Sequence, residues 1–205
     1  MANLLHWLKD FKGVEIGHRF VDLGSSEYAA AVSIAAAEEH IGAVGGQIIY
    51  ASAEFTRPAD ATAYAVGDAV ANSTSAPTVL TFTDIARVTA GTGYIVGASV
   101  IHEAASVTPA LRLHLFNAAP TPVNDNAALA LTYAIVSAAS YLGYIDFPAL
   151  TTDGGTDYSR AQDMTIRIPF SGQAAKSLYG LLEARTAFTP GNAKKIIVKL
   201  RADVN

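Results

Sequence analysis

The chain has 205 residues, a formal net charge of -4, 51% apolar residues and 16% charged ones. That composition supports a sizeable buried core and excludes a chain disordered throughout. It offers no strong positive field to gather phosphates, so no nucleic-acid partner is expected; with no cysteine, disulfides, thiolate metal sites and cysteine nucleophiles are excluded.

Residues 1–46 read as an N-terminal arm and residues 47–205 as a β-domain, with Gly42, Gly45 and Gly46 clustered at the boundary. The opening lacks the basic start and long apolar region of a signal peptide. Asn3 can cap a short helix running to about Phe11. On a helical wheel Leu4, Trp7, Leu8 and Phe11 share one face with Leu5 at its margin, and Gly13 and Gly17 end the helix. Residues 14–24 show no clear period. Glu27–His40 reads as an alanine-rich helix capped by Ser25 or Ser26, or as an extended segment from the spacing of Val32 and Ile34. The most apolar block, Ala29–Ala37, falls short of the about 20 residues a membrane span needs, so no membrane partner is expected.

Magnitudes assign the arm a role. Burying Leu4, Leu5, Trp7, Leu8 and Phe11 at roughly 1.5–3 kcal/mol each yields on the order of 10 kcal/mol. Ordering about 45 residues costs roughly 1–2 kcal/mol each. A helix of about 10 residues is marginal alone. The arm therefore needs another surface, and ordering on a partner is the favoured reading, with these five residues as the candidate protein interface; the alternative is a helix capping the open end of its own domain.

From residue 47 the chain reads as strands. Gln47–Phe55 is rich in β-branched and aromatic residues and ends before Arg57-Pro58. Ala65–Asn72 is a weaker candidate. Val79–Val88 and Tyr94–Glu103 flank the turn at residues 90–93. Leu111, Leu113 and Leu115 alternate with Arg112, His114 and Phe116, the period of a strand with one buried face. Asn126–Ala139 reads as a helix, or as a strand across Leu131–Val136. Tyr141–Phe147, the alternation around Ile166–Phe170, Leu178–Glu183 and Ile196–Arg201 complete the set, punctuated by turns at residues 153–155 and 189–192. Roughly eight or nine short strands without a helical pattern between them predict an all-β fold, a β-sandwich of jelly-roll type. An immunoglobulin-like sandwich usually has fewer strands, and its Cys…Trp…Cys mark is missing.

Catalytic patterns are lacking. His6, His18, His40, His102 and His114 show no local metal spacing, and His114 shares a strand face with Arg112 and Phe116. The acids are scattered and present no glycosidase pair in sequence. Asp153–Asp157 superficially resembles a calcium loop without its terminal glutamate and reads as a turn. No Gly-x-Ser-x-Gly elbow or phosphate-binding loop is present. No catalytic, cofactor or metal residue is expected, and the protein reads as no enzyme. Lys194, Lys195, Lys199 and Arg201 read as the wet face of the last strand, where they would also guard a sheet edge. Tyr141, Tyr144, Phe147 and Tyr158 lie close enough in sequence to form an aromatic platform for a saccharide.

The segment Glu54–Asp68 with Val70–Ser73 after it, Gly93-Tyr94-Ile95, Leu111–Phe116 with Ala119-Pro120 behind it, Tyr141–Asp146, and Leu178–Arg185 with Phe188-Thr189-Pro190 resemble, in that order, a pattern of structural proteins of tailed bacteriophages. The resemblance covers about residues 40–205. It implies a virion component on the capsid surface, made in the bacterial host cytoplasm: a decoration or cement protein that bridges neighbouring subunits of the major capsid protein as a homotrimer. Residues 1–40 depart from the pattern. The alternative is a glycan- or receptor-binding module of a phage tail or fibre.

Overall fold

In the computed structural model the chain divides into two units, Met1–Ala43 and Val44–Asn205. The structure describes residues 5–9, 15–22, 28–31, 47–152, 157–171 and 175–204. The first unit holds a three-stranded antiparallel sheet in which β1 (Leu5–Lys9) and β3 (Tyr28–Ala31) flank β2 (Glu15–Asp22). This corrects the helix expected up to Phe11. Leu-His-Trp-Leu-Lys carries apolar residues compatible with either period, and pairing of Leu5–Lys9 with Glu15–Arg19 satisfies the backbone across two segments rather than within one. The residues beyond Ala31 in the Glu27–His40 segment lie outside the described ones.

The second unit runs β4 (Gln47–Thr56), β5 (Ala69–Val70), β6 (Leu80–Phe82), β7 (Thr92–His102), β8 (Leu111–Phe116), α1 (Tyr133–Val136), β9 (Tyr141–Phe147), β10 (Ser159–Asp163), β11 (Ile168–Ser171), β12 (Leu178–Ala184) and β13 (Lys195–Val204). Two antiparallel sheets result. One has the order β10-β7-β13-β4, with β11 also on β7; the other has β5-β12-β8-β9, with β6 also on β12. The unit is thus all-β. Val100, Val198 and Leu200 from the first sheet and Phe82, Leu113, Leu182 and Phe147 from the second belong to one cluster of buried side chains. The longer strands feed it mainly with alternate residues, as in Ile196, Val198, Leu200, Ala202 and Val204 of β13.

Three expectations change. The run Val79–Val88 is a strand only over Leu80–Phe82, because the chain turns at Asp84, whose φ is 53°. Asn126–Ala139 yields a single helical turn, Tyr133–Val136, with no buried residue. The last strand is no edge: β13 lies between β4 and β7, so its lysines face outward from the middle of a sheet. Ser159–Asp163 is a strand where none is expected from the sequence; Ser159 is buried because its Oγ donates to the Val107 carbonyl at 2.6 Å. Residues 153–156, which carry most of the turn expected at Asp153–Asp157, lie outside the described ones.

Candidate functional site

Of the expected interface residues, Leu4 and Phe11 lie outside the described residues, as do the side chains of Leu5, Trp7 and Leu8. The backbone of the latter three is extended in β1, so the helical face that grouped the five does not form there.

The richest side-chain chemistry lies on the outward face of the second sheet. Arg112, His114 and Phe116 point away from the core that Leu111, Leu113 and Leu115 fill. Opposite them in register stand Glu183, Leu181 and Tyr179 on β12, and Asp146, Tyr144 and Tyr141 on β9. A bulge creates that last set. The β8–β9 register slips between Leu115 and Phe116, and Gly143 takes a φ of 125°, which favours glycine. Without the extra residue Leu142, not Tyr141, would share the face of Tyr144.

The bulge delivers the Tyr141 hydroxyl to within 3.1 Å of His114 Nδ1, while His114 Nε2 sits 2.9 Å from Glu183 Oε2. The other Glu183 oxygen accepts from Arg185 Nη1 at 2.9 Å. Burial pushes the His114 pKa down, against the upward pull of its bond to Glu183. A neutral ring satisfies both contacts in one tautomer, with Tyr141 O–H donating to Nδ1 and Nε2–H donating to the carboxylate. Beside this chain, Arg112 makes a two-pronged pair with Asp146 at 2.6 and 2.8 Å and lies 3.9 Å over the Tyr144 ring. The pair holds the Asp146 carboxyl below its usual range.

A histidine between a carboxylate and a hydroxyl is the skeleton of a base-activated nucleophile. Here the hydroxyl is a phenol whose pKa burial pushes up, and His114 and Glu183 are only 4% and 8% exposed. The contacts fix His114 and Glu183 in place, while Tyr141 is half-buried. Asp163, on β10, accepts from the Thr165 amide and hydroxyl at 2.8 and 2.7 Å. Among the described residues no three acids and histidines gather to hold a metal.

The aromatic platform divides. Phe147 is in the core, Tyr141 leans on Phe116 at 5.2 Å between centroids, and Tyr144 is 50% exposed. Close to it in sequence, α1 leaves Tyr133, Ile135 and Val136 exposed, within the stretch of residues 126–145 that carries no charge.

A second polar cluster is internal. Asp125 accepts from Arg57 Nη2 at 2.8 Å, from the Tyr64 hydroxyl at 2.6 Å and from the Ala71 amide at 2.7 Å. Arg57 also donates to Tyr64, and Tyr64 stacks on Phe188 at 4.7 Å. Burial, then the bond to Asp125, pushes the Tyr64 phenol far up. Neither cluster is marked by sequence spacing, since His114 and Glu183 lie 69 residues apart and Arg57 and Asp125 68; the one sequence signal is a polar residue at an alternating strand position. No protein-family model, no curated protein and no solved structure matches the chain.

Proposed function

We propose that the second unit is a jelly-roll sandwich serving as a virion structural protein, a decoration or cement protein on the outside of an assembled capsid. The strand order supports the architecture: the chain passes repeatedly between the sheets, and the orders β4-β13-β7-β10 and β5-β12-β8-β9 are those of two interlocked Greek keys. Such a fold hosts many functions, so the role rests on the site and on the phage-like segments.

The observation that carries the reading is where those segments fall. Leu111–Phe116 is β8, Tyr141–Asp146 lies in β9, Leu178–Arg185 spans β12, and Glu54–Asp68 carries Arg57 and Tyr64 into the buried lock. Those segments thus form a structural framework that holds the domain together, which suits a scaffold, and their conspicuous polar groups are spent on each other. A cement protein recognises the shell and not the free subunit, and so stabilises the shell by mass action. The major capsid protein is the partner in this reading, and a homotrimer the working form.

The test is occupancy and heat-resistance of capsids with the full-length protein and with residues 1–24 removed, imaged by cryo-electron microscopy. Density on the shell that weakens on truncation supports the reading; undiminished occupancy and heat-resistance discards the arm as a clamp, and density confined to the tail discards the cement role. Exposed Tyr144 beside the Arg112–Asp146 pair favours a second reading, a glycan-binding tail module, which requires saccharide binding that Tyr144→Ala abolishes.

A further inference from the structure

Three cations, Lys195, Lys199 and Arg201, face outward from the first sheet of a chain whose net charge is -4. On β13, the central strand, Lys195, Ile197, Lys199, Arg201 and Asp203 alternate with the buried row. Lys195 is answered by Glu54 at 3.0 Å. Lys199 stands between Ser52 and Ser99, and Arg201 between Tyr50 and Gly97. Neither Lys199 nor Arg201 forms an ion pair among the described residues, and Arg201 Nε is shielded from solvent without an acceptor. Two successive outward positions of one strand lie about 7 Å apart, so these two cations form a short row along the middle of a sheet.

Apolar surface flanks the row. Tyr50 is 72% exposed, with the Arg201 guanidinium 5.9 Å from its ring centre, and Ile48 and Met164 are also exposed. A methyl group placed on Gly97 would meet Met164 Sδ and then Arg201 Cβ, so both side chains border the surface at Gly97. Tyrosine, arginine and methionine are residue types enriched in interface cores. In solution a protein of net charge -4 gains nothing from leaving two cations unanswered there.

We propose that this face docks an acidic polypeptide segment whose carboxylates meet Lys199 and Arg201 and whose apolar side chains lie on Tyr50 and Ile48. Charge complementarity selects the partner, because Lys199 and Arg201 have no ion pair among the described residues and lie beside the exposed Tyr50 and Ile48. A nucleic acid would need a wider positive field than two unpaired cations on an acidic chain. The inference deepens the capsid reading by naming the face and the partner's chemistry, and rests on that reading only for which protein supplies the segment.

The test measures binding of the full-length chain to immobilised poly-L-glutamate and to duplex DNA at about 50 mM salt, where screening is weak. Wild type should be retained on polyglutamate and released as salt rises. The Lys199→Glu/Arg201→Glu variant should bind about tenfold or more weakly, and Tyr50→Ala should lose a smaller part. Arg87→Glu/Lys176→Glu, at exposed positions outside this sheet, has the same net charge and should bind as wild type. No retention of wild type, equal loss in both double variants, or tighter binding to DNA overturns the proposal. Should the reversal prevent folding, Lys199→Gln/Arg201→Gln carries the same criteria. Retention on polyglutamate without binding to capsids would keep this face assigned while removing the cement reading.

Discussion

Arg57 and Asp125, 68 residues apart in the chain, meet at 2.8 Å with both side chains sealed from solvent. The contact ties the segment after β4 to the long connection between β8 and β9, and Arg57 Nη1 adds the Gly191 carbonyl at 3.3 Å. Three loops are thereby fixed at one point. Removing Asp125 leaves the buried Arg57 only the longer contact to the part-exposed Asp60 at 3.7 Å, so Asp125→Ala should cost about 3 kcal/mol. In Asp125→Asn the amide can still accept from Tyr64 and Ala71 but turns a donor towards Arg57. The double variant Arg57→Met/Asp125→Asn should therefore cost less than the sum of its single changes, by about 1–3 kcal/mol. Urea unfolding of the four proteins measures this, and strict additivity would contradict the lock.

His102 predicts an acid-sensitive step. It is fully buried at the end of β7 with neither ring nitrogen bonded, and burial, then the Arg57 cation, pushes its pKa down to about 4 from 6.5. Its other charged neighbours are Glu103, which favours the proton, and Lys194, which opposes it. Between those two pH values the unfolded chain binds the proton and the folded one does not, so stability falls as pH drops from about 6.5 and the loss is complete near 4. The full contribution is on the order of 3 kcal/mol. Asp146, held down by Arg112, stays ionised through that window and does not account for the loss. Thermal unfolding across this pH range should show a shallower slope for His102→Leu than for wild type; identical slopes would refute the assignment.

His114 should be neutral at pH 7 with its proton on Nε2, a state that nitrogen-15 imidazole spectra report directly. Because its bond to Glu183 opposes the effect of burial, Glu183→Gln should lower its pKa further. Titration of the wild-type ring above 6.5 would contradict the structure.

Two glycines of β7 separate backbone from side-chain crowding. A Cβ at Gly93 would lie 2.6 Å from the Asp203 carbonyl oxygen and 2.9 Å from Phe170 Cζ, whereas at Gly97 the near atom is Met164 Sδ at 2.5 Å. The backbone cannot yield cheaply, but a methionine end can. Gly93→Ala should cost about 1–3 kcal/mol and Gly97→Ala about 1 or less, measured as the shift in urea midpoint. The reverse order would sink this account.

The strands with strong alternation were legible: β8, β12 and β13 announce their buried rows, and Tyr141–Phe147 matches β9 end to end. β10 was hidden because Ser159 is buried by a hydrogen bond and Ala161 by its small size, neither of which leaves an apolar pattern. The lysines of β13 reported an outward face but not its place in the sheet, because alternation is the same in an edge and a central strand. The Tyr141–His114–Glu183 chain depends on a one-residue bulge and on pairing across three strands, information held in register and not in spacing.

Each sheet of the second unit has one continuous border and one interrupted border. β10 and β11 divide a side of β7, and β5 and β6 divide a side of β12, while among the described residues β4 with 10 residues and β9 with 7 close the opposite sides. Pro169 in β11 further removes a donor from its border. A foreign strand can template onto ladder only where it is long, so any polymer this protein forms by strand addition would grow from β4 or β9 and stall at the other two sides.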